Sequence, residues 1–318
     1  MVRAVAATSY GGPEVIQVID VDPVPPGPGR AVVEVRATAL NPWDAKVAEG
    51  MMGTDPAKLP MRLGSEASGV VTAVGEGAVD LQGDALAVGD RVYGHRLAGA
   101  QASELTVPAD RLVRLPDDAD YREAAGLMSV GTTAVHALEV TRVGEGDVVL
   151  VHGASGGVGR IAAQLARLRG ATVVGTASPR HHDDLREQGV IPVAYGDGLL
   201  ERLREAAPDG VDAAVDTAGT DEAVATTLAV LHDPARFVTI HNSAFEAVKA
   251  AGGLAIGGGP GADPGTEIRH AAQFELARRF EGGELRVEVS ATFPLEKARE
   301  AYELLVGGHA GGKVVLEP

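Results

Sequence analysis

The 318-residue chain contains no cysteine, so disulfides and thiolate metal sites are excluded from the start. That usage suits a reducing compartment. Aromatic residues make up 3% of the chain, with a single Trp, so Val, Leu, Ile and Ala must do most of the packing. Apolar runs are only a few residues long, far short of the ~18 needed to span a bilayer. The opening Met1-Val2-Arg3-Ala4-Val5-Ala6 reads as a strand rather than as a secretion signal. A soluble cytoplasmic protein with no membrane partner is expected. Basic residues are also in deficit: 28 Lys and Arg stand against 44 Asp and Glu, a formal net charge of −16. An acidic chain repels phosphate backbones, so nucleic acid is not expected as a partner. The acids are scattered rather than clustered and read as a solvated surface. No internal repeat or low-complexity linker is visible.

What is present is ample apolar material, 45% of the residues, on a chain longer than the ~250–300 residues over which one core grows. Two lobes are therefore expected. The first third is rich in β-branched residues and turn signals. Strands are predicted at Arg3–Ala6, Ala31–Ala37, Gly69–Val74 and Ala102–Val107, a β-rich unit without long helices. After Pro116 the pattern changes. Asp120 caps a helix beginning at Tyr121. Strands at Asp147–Val151, Ala171–Thr176, Ile191–Ala194, Val211–Val215, Arg236–Ile240 and Gly253–Ile256 then alternate with helices. Those helices include one with apolar residues at Val158, Ile161, Ala162, Leu165 and Leu168, then His181–Gln188, Leu199–Ala206 and Asp221–Leu231. Such alternation implies an α/β fold with a doubly wound parallel sheet. The tail offers a strand at Glu284–Val289, a helix at Leu295–Val306 and a last strand at Lys313–Leu316, which can complete either lobe.

The strongest local signal is the run Val148-Val149-Leu150-Val151-His152-Gly153-Ala154-Ser155-Gly156-Gly157-Val158-Gly159. A buried strand enters a glycine turn and a helix opens directly after it. Small residues let backbone N–H groups at Ala154, Ser155, Gly156, Gly157 and Val158 approach a pyrophosphate, and the helix N-terminus adds about half a positive charge. Gly159 lets helix and strand pack closely. Ala154 occupies the first glycine slot of the usual G-x-G-x-x-G pattern, and no Gly-Lys-Ser/Thr follows, which excludes a Walker-type loop. The next strand ends Gly175-Thr176-Ala177-Ser178-Pro179-Arg180. The Asp or Glu that holds an NAD ribose is missing there. The hydroxyls of Thr176 and Ser178 and the guanidinium of Arg180 suit a 2′-phosphate instead. NADPH is the cofactor these residues indicate. Asp216-Thr217-Ala218-Gly219 ends the fourth strand, where Ala218 is expected to line the cofactor groove, and Asn242 after the fifth is expected near the nicotinamide end.

A β-rich lobe followed by this nucleotide domain resembles the medium-chain dehydrogenase/reductase superfamily, in its zinc-independent quinone oxidoreductase and enone reductase-like branch. The resemblance runs over nearly the whole chain. Its landmarks are Tyr10-Gly11-Gly12-Pro13-Glu14, Asn41-Pro42-Trp43-Asp44-Ala45-Lys46, Leu63-Gly64-Ser65-Glu66-Ala67-Ser68-Gly69-Val70, Val88-Gly89-Asp90-Arg91-Val92-Tyr93-Gly94, the glycine turn, and Gly312-Lys313-Val314-Val315-Leu316. It implies a GroES-like β-rich catalytic lobe over residues 1–122, completed by 284–318. A Rossmann NADP-binding domain over 123–283 follows, with the active site in the cleft between the two and a homodimer as the assembly. Zinc-dependent relatives carry Cys where this chain has Asn41 and His where it has Ser65. Gly126-Leu127-Met128-Ser129 supplies no replacement, and Glu66 alone cannot make up the three protein ligands a catalytic zinc needs. No metal is therefore expected.

Without a metal, a carbonyl oxygen must be polarised by hydrogen bonds or a cation. The resemblance places Asn41, Asp44 and Lys46 beside the nicotinamide. Lys46 is a candidate to meet the substrate oxygen, Asn41 to donate an amide hydrogen bond, and Asp44 to fix the local backbone or tune Lys46. Tyr93 and Met52 are candidate walls of the substrate pocket, Tyr93 being equally suited to packing, although the aromatic residue common near Lys46 or Met52 in the quinone branch is absent. The resemblance also assigns a cofactor contact to Thr132, and to Tyr195 a contact with the 2′-phosphate or adenine. The expected reaction is hydride transfer from NADPH to a small quinone or α,β-unsaturated carbonyl. An enoyl-thioester reductase and a non-catalytic NADPH-binding protein remain open as alternatives.

Overall fold

A computed structural model describes residues 1–308 and 310–318. The chain folds as two compact units, Met1–Ser129 with Ala277–Pro318, and Val130–Leu276. It is an α/β protein in which a β-rich GroES-like unit is joined to a Rossmann unit.

In the first unit the strands are β1 (Val2–Ala7), β2 (Ile16–Val21), β3 (Arg30–Ala39), β4 (Met61–Arg62), β5 (Glu66–Val74), β6 (Arg91–His95), β7 (Glu104–Pro108) and β8 (Leu112–Arg114), with helix α1 (Pro42–Ala48) between β3 and β4. Helix α2 (Tyr121–Val140) follows. Asp120 Oδ1 accepts the Arg122 N–H at 2.7 Å and so caps its first turn. In the second unit the order is β9 (Val148–His152), α3 (Gly157–Leu168), β10 (Thr172–Ala177), α4 (His182–Glu187), β11 (Ile191–Ala194), α5 (Leu199–Ala206), β12 (Ala213–Asp216), α6 (Asp221–Val230), β13 (Phe237–Thr239), α7 (Phe245–Ala250), β14 (Leu254–Ala255) and α8 (Thr266–Glu281). The tail is β15 (Val289–Pro294), α9 (Ala298–Val306) and β16 (Lys313–Glu317). The chain passes between units within α2 and again within α8.

The six strands of the second unit pair in parallel in the order β11-β10-β9-β12-β13-β14. The winding reverses between β9 and β12, and in such sheets ligands bind outside the carboxyl ends at that reversal. The central strands are apolar on both faces, as Val149, Leu150 and Val151 and again Val173 and Val174 are fully buried, as a sheet covered by helices on both sides requires. In the first unit β16 pairs antiparallel with β3 (Val315 opposite Ala39, Leu316 opposite Thr38) and in parallel with β15, so the tail extends this unit's main sheet. That pairing brings Lys313 to the side of Leu40 and Asn41.

The structure adds β2, β4, β6, β8, α1 and α7, none of which the sequence suggests, and two further elements differ from expectation. The strand expected at Glu284–Val289 begins only at Val289. Leu285 and Val287 are buried alternately as in a strand, but the Val287 N–H goes to the Glu123 carboxylate at 3.3 Å instead of to a neighbouring strand. Helix α8 was not expected. Its charged residues fall all round the helix, and only a narrow apolar contact at Ala272, Leu276 and Ala277 is buried, so the 3.6-residue period is faint.

Candidate active site

In the Rossmann unit, β9 delivers the chain into Gly153 at φ +71°, a left-handed conformation that glycine adopts without strain. A Cβ on Gly159 would lie 2.2 Å from the Gly153 carbonyl and 2.9 Å from Ala154 Cα. Only glycine therefore lets α3 approach β9 this closely. The first α3 bond that closes is Arg160 N–H to the Gly156 carbonyl at 2.9 Å. The amides of Gly157, Val158 and Gly159 have no acceptor within the helix, which is the arrangement that receives an anion. Ala154 is fully buried with its N–H on the Thr176 carbonyl at 2.9 Å, so it serves the turn through its backbone and small size. Arg160, 3% exposed, lies under the turn and donates from Nε to the Ser155 carbonyl at 3.0 Å.

A buried knot ties the carboxyl ends of β9, β10 and β12 together. The His152 ring bonds Thr176 Oγ1 at 3.1 Å and Thr227 Oγ1 at 2.9 Å. The Gly153 N–H donates to Thr176 Oγ1 at 3.2 Å, and Thr217 Oγ1 donates to the His152 carbonyl at 2.7 Å. Burial drives the His152 imidazole down to about 4, against the pull of Asp216 and Glu222. Asp216, with no exposed surface, accepts the Ala218 and Gly219 N–H groups at 2.9 Å each and the Thr239 hydroxyl at 2.8 Å. These contacts shape the rim and assign the hydroxyl of Thr176 differently from the sequence reading. It faces inward and supports the turn. Of the residues expected to take a 2′-phosphate, Ser178 is half-buried while Arg180 and Tyr195 are exposed. The turn bearing Tyr195 is clamped by Arg202, which donates to the carbonyls of Ala194, Gly196 and Asp197 at 2.8–2.9 Å. Thr132 is buried on α2. Asn242 is exposed on the turn after β13, and Ala218 has its amide committed to Asp216.

The first unit holds a second polar cluster. Lys313 Nζ, on a side chain 4% exposed, donates to Glu66 Oε1 at 2.8 Å, Asn41 Oδ1 at 2.7 Å and the Leu40 carbonyl at 3.1 Å. Asn41 Nδ2 donates to the same Glu66 Oε1 at 2.9 Å, and Glu66 Oε2 accepts the Ser129 N–H at 3.0 Å. Asp44, at the third position of α1, accepts the Asn41 N–H at 2.9 Å, half of a capping box. Gln101 Nε2 reaches Asp44 at 3.5 Å, and Gln101 Oε1 accepts the Tyr302 hydroxyl at 2.9 Å. Burial raises the Asp44 carboxyl from 3.8 to about 7. The Asn41 N–H opposes the rise, Glu66 adds to it and Lys313 opposes it. Burial also lifts the Tyr302 phenol well above its usual value.

Asn41 and Asp44 thus lie in one cluster, while Lys46 is half-buried further along α1, outside it. Met52 is 61% exposed. Of the two roles open to Tyr93, the structure shows packing. Tyr93 is 1% exposed and packs on Phe280 with ring centroids 6.0 Å apart, inside this unit's core. Sequence reasoning did not find Gln101, Tyr302, His152 or Arg160. For Glu66 and Lys313 the available signal was a charged residue opening a largely apolar strand.

Residues 27–117 match the model of the alcohol dehydrogenase GroES-like domain, and residues 188–316 that of the zinc-binding dehydrogenase. A quinone oxidoreductase of Pseudomonas aeruginosa is 31% identical over 335 residues, covering 100% of both chains. The chain belongs to the medium-chain dehydrogenase/reductase superfamily. It falls in the branch of quinone oxidoreductases and VAT-1-like proteins. The synaptic vesicle membrane protein VAT-1 homolog of Mus musculus is 31% identical over 348 residues, 99% of this chain and 84% of that one. A mycobacterial protein solved in complex with NADPH superposes with a TM-score of 0.83 at 28% identity, covering 100% of both chains. Zinc does not fit this superfamily member. Among the described residues no three His, Cys, Asp or Glu side chains are placed to hold a metal. The oxygens of Asn41 and Glu66 already face an ammonium, whose charge opposes a second cation. No helix among the described residues is long and apolar enough to cross a membrane.

Proposed function

We propose that this medium-chain oxidoreductase is a zinc-independent, NADPH-dependent reductase of quinones or α,β-unsaturated carbonyls. The observation that carries the reading is the glycine turn. Three uncommitted amides at Gly157–Gly159 open α3 at the sheet's reversal point, beside a β10 that ends without a carboxylate and leads to Ser178 and Arg180. The pyrophosphate belongs on those amides. Arg180 and Ser178 take the 2′-phosphate, with the Tyr195 turn beside them.

When bound, NADPH supplies the hydride. The protein supplies orientation and charge. Asn41 and Lys46 are the groups that polarise the substrate oxygen, and Met52 and Trp43, both exposed on or just after α1, offer apolar surface to a ring or alkyl chain. Asp44 does not face solvent, being 4% exposed. It fixes the start of α1 through the Asn41 N–H and so acts on the geometry of the site.

The test is NADPH consumption by purified protein over 1,4-quinones, enones, alkenals and crotonyl thioesters, with NADH as control. Turnover of quinones or enones with a preference for NADPH is expected. Turnover of thioesters alone would reassign the chain to enoyl-thioester reduction. Tight NADPH binding without oxidation of any acceptor would make it a binding protein.

A further inference from the structure

Asn41 has one side-chain carbonyl and two side-chain N–H groups to place. Its carbonyl meets Lys313 Nζ at 2.7 Å, a group that can only donate. One N–H meets Glu66 Oε1 at 2.9 Å, a group that can only accept while ionised. Reversing the amide would set N–H against ammonium and carbonyl against carboxylate, so this pair of partners permits a single orientation. The second N–H has no acceptor among the described residues. An ammonium on the amide oxygen draws electron density from nitrogen and makes that remaining N–H a stronger donor. A buried Lys–Glu pair costs desolvation that an apolar pair of the same size avoids, so stability alone gives no reason to keep one here.

We propose that Lys313 and Glu66 are positioning residues that lock the Asn41 amide and polarise its free N–H as the hydrogen-bond donor to the substrate's carbonyl oxygen. This rests on the reductase reading above. As hydride reaches the β-carbon of an enone, the carbon–carbon π pair moves into the enolate and negative charge builds on that oxygen. A solvent proton on the α-carbon then completes the reduction. The donor therefore matters most in the transition state, and kcat should carry its effect rather than the KM for NADPH.

The experiment is a mutant cycle. Lys313→Met with Glu66→Gln, made together so that neither charge is left buried alone, is introduced into the wild type and into an Asn41→Ala background. In the wild type, kcat should fall at least tenfold with the KM for NADPH unchanged. In the Asn41→Ala background the same pair should change kcat less than twofold, because its action passes through Asn41. Equal losses in both backgrounds, or none in the wild type, overturn the proposal.

A second measurement needs neither turnover nor a variant. The phenolate of 4-nitrophenol mimics an enolate oxygen. Its binding to the NADP⁺-saturated protein should move one of the two Asn41 side-chain amide proton resonances and leave its geminal partner nearly still. Bound phenolate that leaves both in place overturns the proposal even if the double variant does not fold. If the acceptor screen finds no reduction at all, the reductase reading falls, while the phenolate result still reports on the Asn41 donor.

Discussion

Substituting Asp44 by Asn should make the first unit more stable, and increasingly so as pH rises. The folded carboxyl titrates at about 7 against 3.8 ordinarily, chiefly because it is buried. The folded state therefore holds a proton that the unfolded chain has released, and stability falls with rising pH between those values. A shift of about three units corresponds to roughly 4 kcal/mol once pH exceeds 8, accumulating at about 1.4 kcal/mol per pH unit. An Asn at this position carries no charge, and its carbonyl still accepts the Asn41 N–H. The gain of D44N over wild type should thus grow by about 3 kcal/mol from pH 5 to pH 8. His152 works in the opposite sense. Its folded value is lowered to about 4, so its contribution is lost as pH falls below about 6.5. It is common to both proteins and cancels in the difference. Urea unfolding followed by tryptophan fluorescence is the assay, since Trp43, the single Trp of the chain, sits next to Asp44 on α1. Midpoints of wild type and variant that stay parallel from pH 5 to pH 8 would refute the argument.

Three further outcomes follow from the Rossmann unit. Arg180→Ala should weaken NADPH roughly tenfold to a hundredfold and leave NADH nearly unchanged, as the loss of a charged hydrogen bond of about 1.5–3 kcal/mol predicts; equal loss for both, read by calorimetry, would remove Arg180 from the 2′-phosphate. Gly159→Ala drives a methyl to 2.2 Å from the Gly153 carbonyl and should cost about 1–3 kcal/mol along with most cofactor affinity, measured by thermal melting with and without NADPH. Asp216→Ala strands the Ala218 and Gly219 amides and should destabilise by about 2 kcal/mol or more, whereas a melting temperature unchanged from wild type would show that the rim holds without it.

The nucleotide half was legible in the sequence because its signals are local. A strand apolar on both faces, a glycine turn and a helix of regular period follow one another from Val148 to Leu168, and each implies the next. The polar cluster of the other unit has no such signature. Asn41, Asp44, Glu66, Gln101, Tyr302 and Lys313 are brought together by the pairing of β16 with β3 and by the packing around α1, a consequence of topology that residue spacing does not encode. For Tyr93 the sequence left pocket wall and packing equally open, and only the fold reveals Phe280 against its ring. Thr176 was placed at the right strand end but assigned outward; the His152 ring beneath it decides which way the hydroxyl turns.

The grip of Arg202 on the carbonyls around Tyr195 has a kinetic consequence. A guanidinium spanning three carbonyls freezes that bend during folding, so whatever settles on the phenol ring meets a seat already set. If adenosine is seated here as proposed, the backbone entropy of the bend, about 1–2 kcal/mol per residue fixed, has been removed before it arrives. Capture at this edge should therefore be a single-step event, its observed rate rising linearly with nucleotide concentration and without a plateau.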